Sequence, residues 1–310
     1  MKTSIIMSTY LEYANGALSR AVNSVRAQTY THWELIIVGD CTPYEKEIAH
    51  FVKLLGDERI FFKNLHARTG LASPGTVPKQ EGIARSTGGL LAFLDADNEY
   101  FTRHLECSIK EFIADPGLDL VYGDMVVRMA RNRKTPLGPD CPRTVIARSK
   151  ATKQSKVMAE IRDCFVGSRL LAMTKTALLD GLEKKKDGFT QFIWKKPEWN
   201  EHRATRLLSS NFLDMSLPVF TRAAYNASWG LTTKHHAADW MLWKAFLDAG
   251  KNNFKHSPHC GLVYYTSSLK HHLCYLALML AQKSGIGYTS ENIQWMQKGI
   301  QKRFEKKYTC

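Results

Sequence analysis

The first half of this chain predicts an α/β fold in which a mostly parallel central sheet carries helices on both faces, with further helices at the C-terminal end. Two observations carry that reading: uninterrupted apolar runs of strand length, and helix-period apolar spacing between them. Ser4-Ile5-Ile6-Met7 is the first run, and Leu18, Ala21, Val22 and Val25 then share one face of a helix. Trp33 to Val38 is rich in strand formers and stops at Gly39-Asp40. Ile48, Phe51, Val52 and Leu55 mark a second helix, Ile60-Phe61-Phe62 a third strand, and Gly70, Pro74, Gly75 and Pro78 a loop. A short helix leads to the strand Leu90 to Leu94. A helix from Leu105 to Ile113 and the run Leu118 to Tyr122 continue the alternation. In sheets of this kind ligands gather beyond the carboxyl ends of the strands.

The alternation stops after about Val127, and residues 128–190 hold few strand signals and many charges. It resumes with Phe212 to Phe220. A helix pattern through Asp239, Trp240, Leu242, Trp243, Phe246 and Leu247 then closes at Gly250. Two more helices are expected at residues 271–282 and 290–307. The organisation expected is one α/β domain over residues 1–270, interrupted by an inserted loop at about 143–175, and a C-terminal helical extension over residues 271–310.

Composition bounds the function. The chain has 310 residues, of which 44% are hydrophobic and 23% charged, the balance of an ordinary globular protein. Its opening apolar run is too short for a secretory signal, and the apolar stretch from Leu273 to Ala281 is about half a membrane span. A cytoplasmic protein is expected, with peripheral contact at the inner membrane face as an option for the basic tail. Seven cysteines without a CxxC pair read as free thiols. The net charge of +14 is unevenly placed: residues 143–175 hold eight basic side chains against Glu160 and Asp163. Solvated surface charge accounts for such a patch. No nucleic-acid partner is expected, because the aromatic-and-basic interleaving and zinc spacings of the common binding modules are missing.

The strongest chemical feature is Leu94-Asp95-Ala96-Asp97-Asn98, directly after a buried-strand run. Two carboxylates at a strand end can face one cleft, and hard cations such as Mg²⁺ or Mn²⁺ take oxygen ligands and complete their shell with phosphates and water. Together with Ser4 to Tyr10, Ser24 to Tyr30 and Glu34 to Asp40, all in order, this motif resembles the signature of family 2 glycosyltransferases with a GT-A nucleotide-sugar domain. The likeness covers about residues 3–128 and returns near residue 210.

The resemblance implies a metal-dependent, inverting transfer of a sugar from a nucleotide sugar, a UDP-sugar above all, to a hydroxyl acceptor. That acceptor would be a saccharide or a lipid-linked saccharide, in surface polysaccharide or lipopolysaccharide assembly. It places Thr9 and Tyr10 in the nucleotide pocket with Tyr10 stacked on the base, Asp40 as an acceptor from the base, and Lys79 near the diphosphate. Asp95 and Asp97 would hold the divalent metal, Asp95 also contacting the donor, with His271 as a further ligand. Asp239, before Trp240 on a late helix, would be the general base. Simpler readings stand beside these: Asp40 as a turn cap, Lys79 as a solvated helix residue, Asp239 as an N-terminal helix acid favoured by the dipole, and His271 as an ordinary histidine. The sequence departs from the family where Gly39-Asp40 replaces an acidic pair, Leu11 an asparagine and Ala238 a glutamate.

Val145 to Ser155, followed by Asp163 to Arg169, resembles the translated product of a bacterial palindromic repeat element, so residues 144–174 are expected to form an exposed loop without catalytic residues. The rival functional reading is a catalytically impaired nucleotide-sugar-binding or assembly protein. A sugar nucleotidyltransferase is excluded, since Ser8-Thr9-Tyr10 stands where its glycine-rich loop would be.

Overall fold

The computed structural model describes residues 1–69, 75–130, 183–184, 189–209, 211–234 and 237–266. The insertion expected at 144–174, His271 and the helical extension expected at 271–310 lie outside them. The described part is an α/β domain around one curled, mixed sheet. Its elements run β1 (Thr3–Thr9), α1 (Ala17–Arg26), β2 (Trp33–Gly39), α2 (Glu45–Leu55), β3 (Ile60–Asn64), α3 (Thr76–Arg85), β4 (Leu90–Phe93), β5 (Glu99–Tyr100), α4 (His104–Ala114) and β6 (Leu120–Ala130). After these come β7 (Glu183–Lys184), β8 (Phe189–Trp194), α5 (Glu201–Ser209), β9 (Val219–Thr221), α6 (Arg222–Ala227), α7 (Ala238–Asp248) and β10 (Phe254–Thr266).

The sheet order is β3-β2-β1-β4-β9-β6-β10-β5, with β8 pairing to β6 and β7. The block β3-β2-β1-β4 is parallel, as the continuous apolar runs predict. Ile5, Ile6, Met7, Leu35 and Ile37 are fully buried in it. The short strand β9 enters antiparallel to both β4 and β6, and β6 and β10 are again parallel. Apolar runs mark strands without marking their direction, which is why the antiparallel insertion was not visible in the sequence. Two boundaries also differ. Pro78 is not in the loop but in the first turn of α3, where its missing N–H costs nothing. Of the apolar run Phe212 to Phe220, only its end forms a strand; the rest is the loop that lines the cleft described below.

Alpha-helix α1 buries the face formed by Leu18, Ala21, Val22 and Val25, as its spacing requires. Glu34 ties β1 to the turn before β4: its carboxylate accepts from Lys2 (2.7 Å), Ser4 (2.6 Å) and the Thr87 amide (2.7 Å). Beneath α4, His104 Nδ1 and His259 Nε2 lie 3.3 Å apart. The outer ring nitrogens, His104 Nε2 and His259 Nδ1, are buried without partners among the described residues. Burial, and for His104 also its neighbour's charge, pushes both imidazoles below the usual histidine range, His104 far below.

That pair makes stability fall on acidification. The unfolded chain takes up protons near pH 6.5 while the folded pair stays neutral, so its contribution is complete above about pH 6.5 and declines as the pH drops through that value. Urea midpoints measured from pH 7.5 to 5 should therefore decline more steeply in the parent than in His104→Leu. Parallel curves would show that the pair is not the source.

Candidate functional site

The first corner of the site forms where β1 and β2 end side by side. The Asp40 amide donates to Thr9 O at 2.9 Å, and Glu12 accepts from the Tyr10 amide (2.6 Å) and the Thr9 hydroxyl (3.0 Å). Asp40 Oδ1 accepts from the Thr69 amide (2.8 Å) and hydroxyl (2.7 Å) and so holds the loop after β3. That loop lays the Arg68 guanidinium on the Tyr10 ring, 3.9 Å from its centre. Thr9, Tyr10 and Asp40 are thus brought together as expected. Asp40 does anchor a loop, and Arg68 joins them without any sequence signal of its own.

The second corner lies at the ends of β1 and β4. Lys79, on the first turn of α3, is 5% exposed. Its Nζ donates to Asp95 Oδ1 at 2.8 Å and to Ser8 Oγ at 3.0 Å, so the solvated reading of this lysine is corrected. Gly75 makes the approach feasible. It sits at φ 74°, and a Cβ there would lie 2.7 Å from Ser8 Oγ and 3.2 Å from Lys79 Nζ. Asp95 is also tied to the loop before β9: its amide donates to Ser216 Oγ at 3.0 Å, and that hydroxyl donates to Asp95 Oδ2 at 3.2 Å. Asp97, which water still reaches at the cleft mouth, is pushed up to about 7 by the surrounding protein and by the charges of Asp95 and Glu12. Lys79 and the Ser216 hydroxyl hold Asp95 low against its own burial.

The third corner is carried by α7 and the same loop. Asp239 Oδ2 accepts from Asn211 Nδ2 at 2.8 Å. The helix is pinned by Trp240 Nε1 to Leu207 O (2.6 Å) and Trp243 Nε1 to Leu213 O (3.3 Å). Burial raises the Asp239 carboxyl above the usual range, and the charge of Asp95 adds to this, so Asp239 belongs to the same electrostatic cluster. Two further members were not among the expected site residues, although the sequence from Trp194 to Trp199 is a candidate for the acceptor side. Asp214 is pushed up to about 7 by burial and by Asp95. Lys196 is pushed down to about 8 by burial, against the pull of Asp214, Asp124 and Asp239.

The cleft therefore gathers Glu12, Asp95, Asp97, Asp214 and Asp239 around two lysines. Among the described residues no group of three or more histidine, cysteine or acidic side chains could hold a metal ion unaided. A cation bound by one or two carboxylates, with phosphate oxygens completing its shell, suits this donor set. The excess negative charge that raises Asp97 is what such a cation would neutralise.

The curled α/β sheet with an acidic cleft at its strand ends has the architecture of a GT-A type domain. The sequence pattern of Glycosyl transferase family 2 matches residues 4–173, and the chain belongs to that family. It is 34% identical over 104 residues to TuaG of Bacillus subtilis (strain 168), a glycosyltransferase assigned provisionally to teichuronic acid biosynthesis, covering 33% of this chain and 38% of that one. It is 29% identical over 123 residues to WfgD of Escherichia coli, a UDP-Glc:α-D-GlcNAc-diphosphoundecaprenol β-1,3-glucosyltransferase, covering 39% of this chain and 44% of that one. These matches span less than half the length of either relative. The fold is similar to that of Staphylococcus aureus TarS residues 1–349, solved with UDP-GlcNAc, at a TM-score of 0.53 and 16% identity, over 86% of this chain and 59% of that one. No helix among the described residues is long and apolar enough to cross a membrane.

Gly75→Ala should lower the free energy of unfolding by about 1–2 kcal/mol, the cost of a left-handed non-glycine residue, with more from the contact on Ser8. Denaturant titration checks this, and an unchanged midpoint would show that the turn relaxes freely.

Proposed function

We propose that this chain is a metal-dependent, inverting glycosyltransferase that moves a sugar from a UDP-sugar to a hydroxyl of a saccharide or lipid-linked saccharide during surface polysaccharide assembly. One observation carries the reading: Asp95, held on one side by Lys79, which also donates to Ser8, and on the other by Ser216, shares a cleft with an elevated carboxyl, Asp239, fixed by Asn211. The names of TuaG and WfgD and the UDP-GlcNAc complex of TarS support the donor and the setting.

In this reading Thr9, Tyr10, Asp40 and Arg68 receive the nucleoside. Tyr10 and Arg68 offer flat faces, and the ring–guanidinium stack opens to admit the base. Asp95 and Asp97 would hold a divalent cation, Mn²⁺ or Mg²⁺, which when bound neutralises charge on the donor diphosphate. Lys79 adds a positive charge beside the same group, and releasing it from Asp95 is part of loading the site. Asp239 takes the proton of the acceptor hydroxyl while that oxygen forms its bond to the anomeric carbon. The bond from that carbon to the diphosphate oxygen breaks on the opposite face. Asn211 donates to Oδ2 of Asp239 and so fixes the carboxylate beside the cleft. The elevated Asp239 makes it a stronger base than an ordinary aspartate.

Asp97→Ala should abolish Mn²⁺-dependent binding of UDP in calorimetry without lowering the melting temperature, because the side chain lies exposed beside Asp95 and Glu12, whose charges repel it. Unaltered UDP affinity with Mn²⁺ would remove Asp97 from the metal site. Asp239→Asn should leave UDP binding intact and cut transfer about 10²-fold or more. In the parent, the acidic limb of the rate profile should fall above the ordinary aspartate value of about 3.9. Equal loss of binding and turnover in Asp239→Asn would make it a structural residue instead.

A further inference from the structure

Outside the groups assigned to the reaction, one histidine is held in a way that only its charged form satisfies. His256 lies on β10, and its side chain is 5% exposed. Its Nε2 stands 2.9 Å from Asp124 Oδ1 on β6, and its Nδ1 stands 2.9 Å from Glu198 Oε1. A neutral imidazole carries one N–H and would turn a lone pair on one of these two carboxylates. The imidazolium donates from both nitrogens, so the geometry selects the charged ring. Burial lowers His256, but the two carboxylates outweigh it and raise the ring above the usual histidine range.

The two carboxylates come from different parts of the chain. Asp124 belongs to the sheet, and its Oδ1 also accepts from the Lys196 backbone N–H at 2.8 Å. Glu198 belongs to residues 195–200, the connection between β8 and α5. Two further bonds fasten that connection: the Tyr122 hydroxyl donates to Pro197 O at 2.6 Å, and Trp199 Nε1 donates to Asn252 O at 2.9 Å. Burial pushes the Tyr122 hydroxyl up, so it remains a donor throughout the neutral range. The Tyr122 ring lies 5.3 Å from that of His256. His259, further along β10, adds a weak repulsion, and Ser257 beside the ring donates to Glu111 on α4. From the connection α5 leads to Asn211, the residue that holds Asp239.

We propose that His256 is a proton-operated clasp on the connection between β8 and α5. Charged, it fastens Glu198 to Asp124. Neutral, it keeps its bond to the buried Asp124 and lets Glu198, whose side chain is 75% exposed, turn into water. The connection is then left to the Lys196 backbone bond and to the bonds of Tyr122 and Trp199, and it loosens locally while the sheet persists. A histidine raised in the folded chain contributes fully below about pH 6.5, and the contribution is lost as the pH rises through the folded value. The clasp therefore opens on the alkaline side. It stands whether or not the cleft performs transfer; in a transferase it sets how firmly the path through α5 to Asn211 and Asp239 is held.

The full chain tests this without any substrate. NMR follows the His256 imidazole through a pH titration. Hydrogen exchange follows the amides of residues 195–200, expressed as protection relative to an unstructured peptide at the same pH. In the parent the His256 midpoint should lie above about 6.5. Protection of residues 195–200 should fall about threefold or more as the pH rises through that midpoint. Glu198→Gln keeps the shape and an acceptor oxygen but no charge, so it should lower the midpoint and make protection independent of pH over the same range. Its side chain is mostly in water, so the variant keeps the fold, and unchanged exchange in β1, β2 and β4 verifies this. A midpoint no higher than that of an ordinary histidine would overturn the clasp. So would a midpoint that does not move in Glu198→Gln, or protection that stays level through the midpoint in the parent.

Discussion

The carboxylate of Asp95 is where the two halves of the cleft meet, and the other polar groups take their positions from it. One oxygen faces Lys79, which reaches back to Ser8 on β1, and the other faces Ser216, which comes from the loop before β9. A half-buried carboxylate with these partners is held ionised, and its charge then adds to the burial that raises Asp97, Asp214 and Asp239. Lys79 is the buried member of that pair, so removing Asp95 would leave the ammonium without its compensating charge. The cleft is thus a balance among neighbours, and each lysine matters through the carboxylates that it offsets.

The loop from Asn211 to Pro218 gives this balance its mechanical form. Asn211 fixes Asp239, Leu213 O receives Trp243, and the Ser216 hydroxyl holds Asp95. Six residues therefore set the distance between the groups that would meet the donor and the one that would meet the acceptor. Loops supported in this way by a rigid sheet and helix are where binding and catalysis concentrate in proteins generally.

Much of the architecture was legible because burial on both faces writes itself as unbroken apolar runs. Ser4 to Met7, Trp33 to Val38 and Leu90 to Phe93 all lie in the sheet, and the spacing of Leu18, Ala21, Val22 and Val25 gave α1 its buried face. Asp95 and Asp97 were legible as well, since two carboxylates at a strand end are a local pattern. Lys79 could be placed near them only by resemblance, because nothing in Gly75 to Gln80 says that the helix start turns toward β1. Asp214 and Ser216 carry no motif of their own, and Lys196 is legible only as part of the Trp194 to Trp199 segment on the acceptor side. Each acts across a separation that strand pairing closes, and neither periodicity nor spacing records which segments a sheet will bring together.

The placement of β9 has a consequence for how the chain is made. Leu90, Leu91 and Ala92 pair on one side with β1, which has already been synthesised, and on the other with Thr221, Phe220 and Val219. During synthesis the N-terminal parallel block can assemble with β4 as a bare edge, and that edge stays open until more than a hundred further residues have emerged. Unpaired apolar edges recruit other chains, and pairings closed over long sequence separations form slowly. The long stretch between β6 and β9 therefore acts on the nascent polypeptide as a delay, setting the interval in which β4 depends on chaperones or on dilution to remain single.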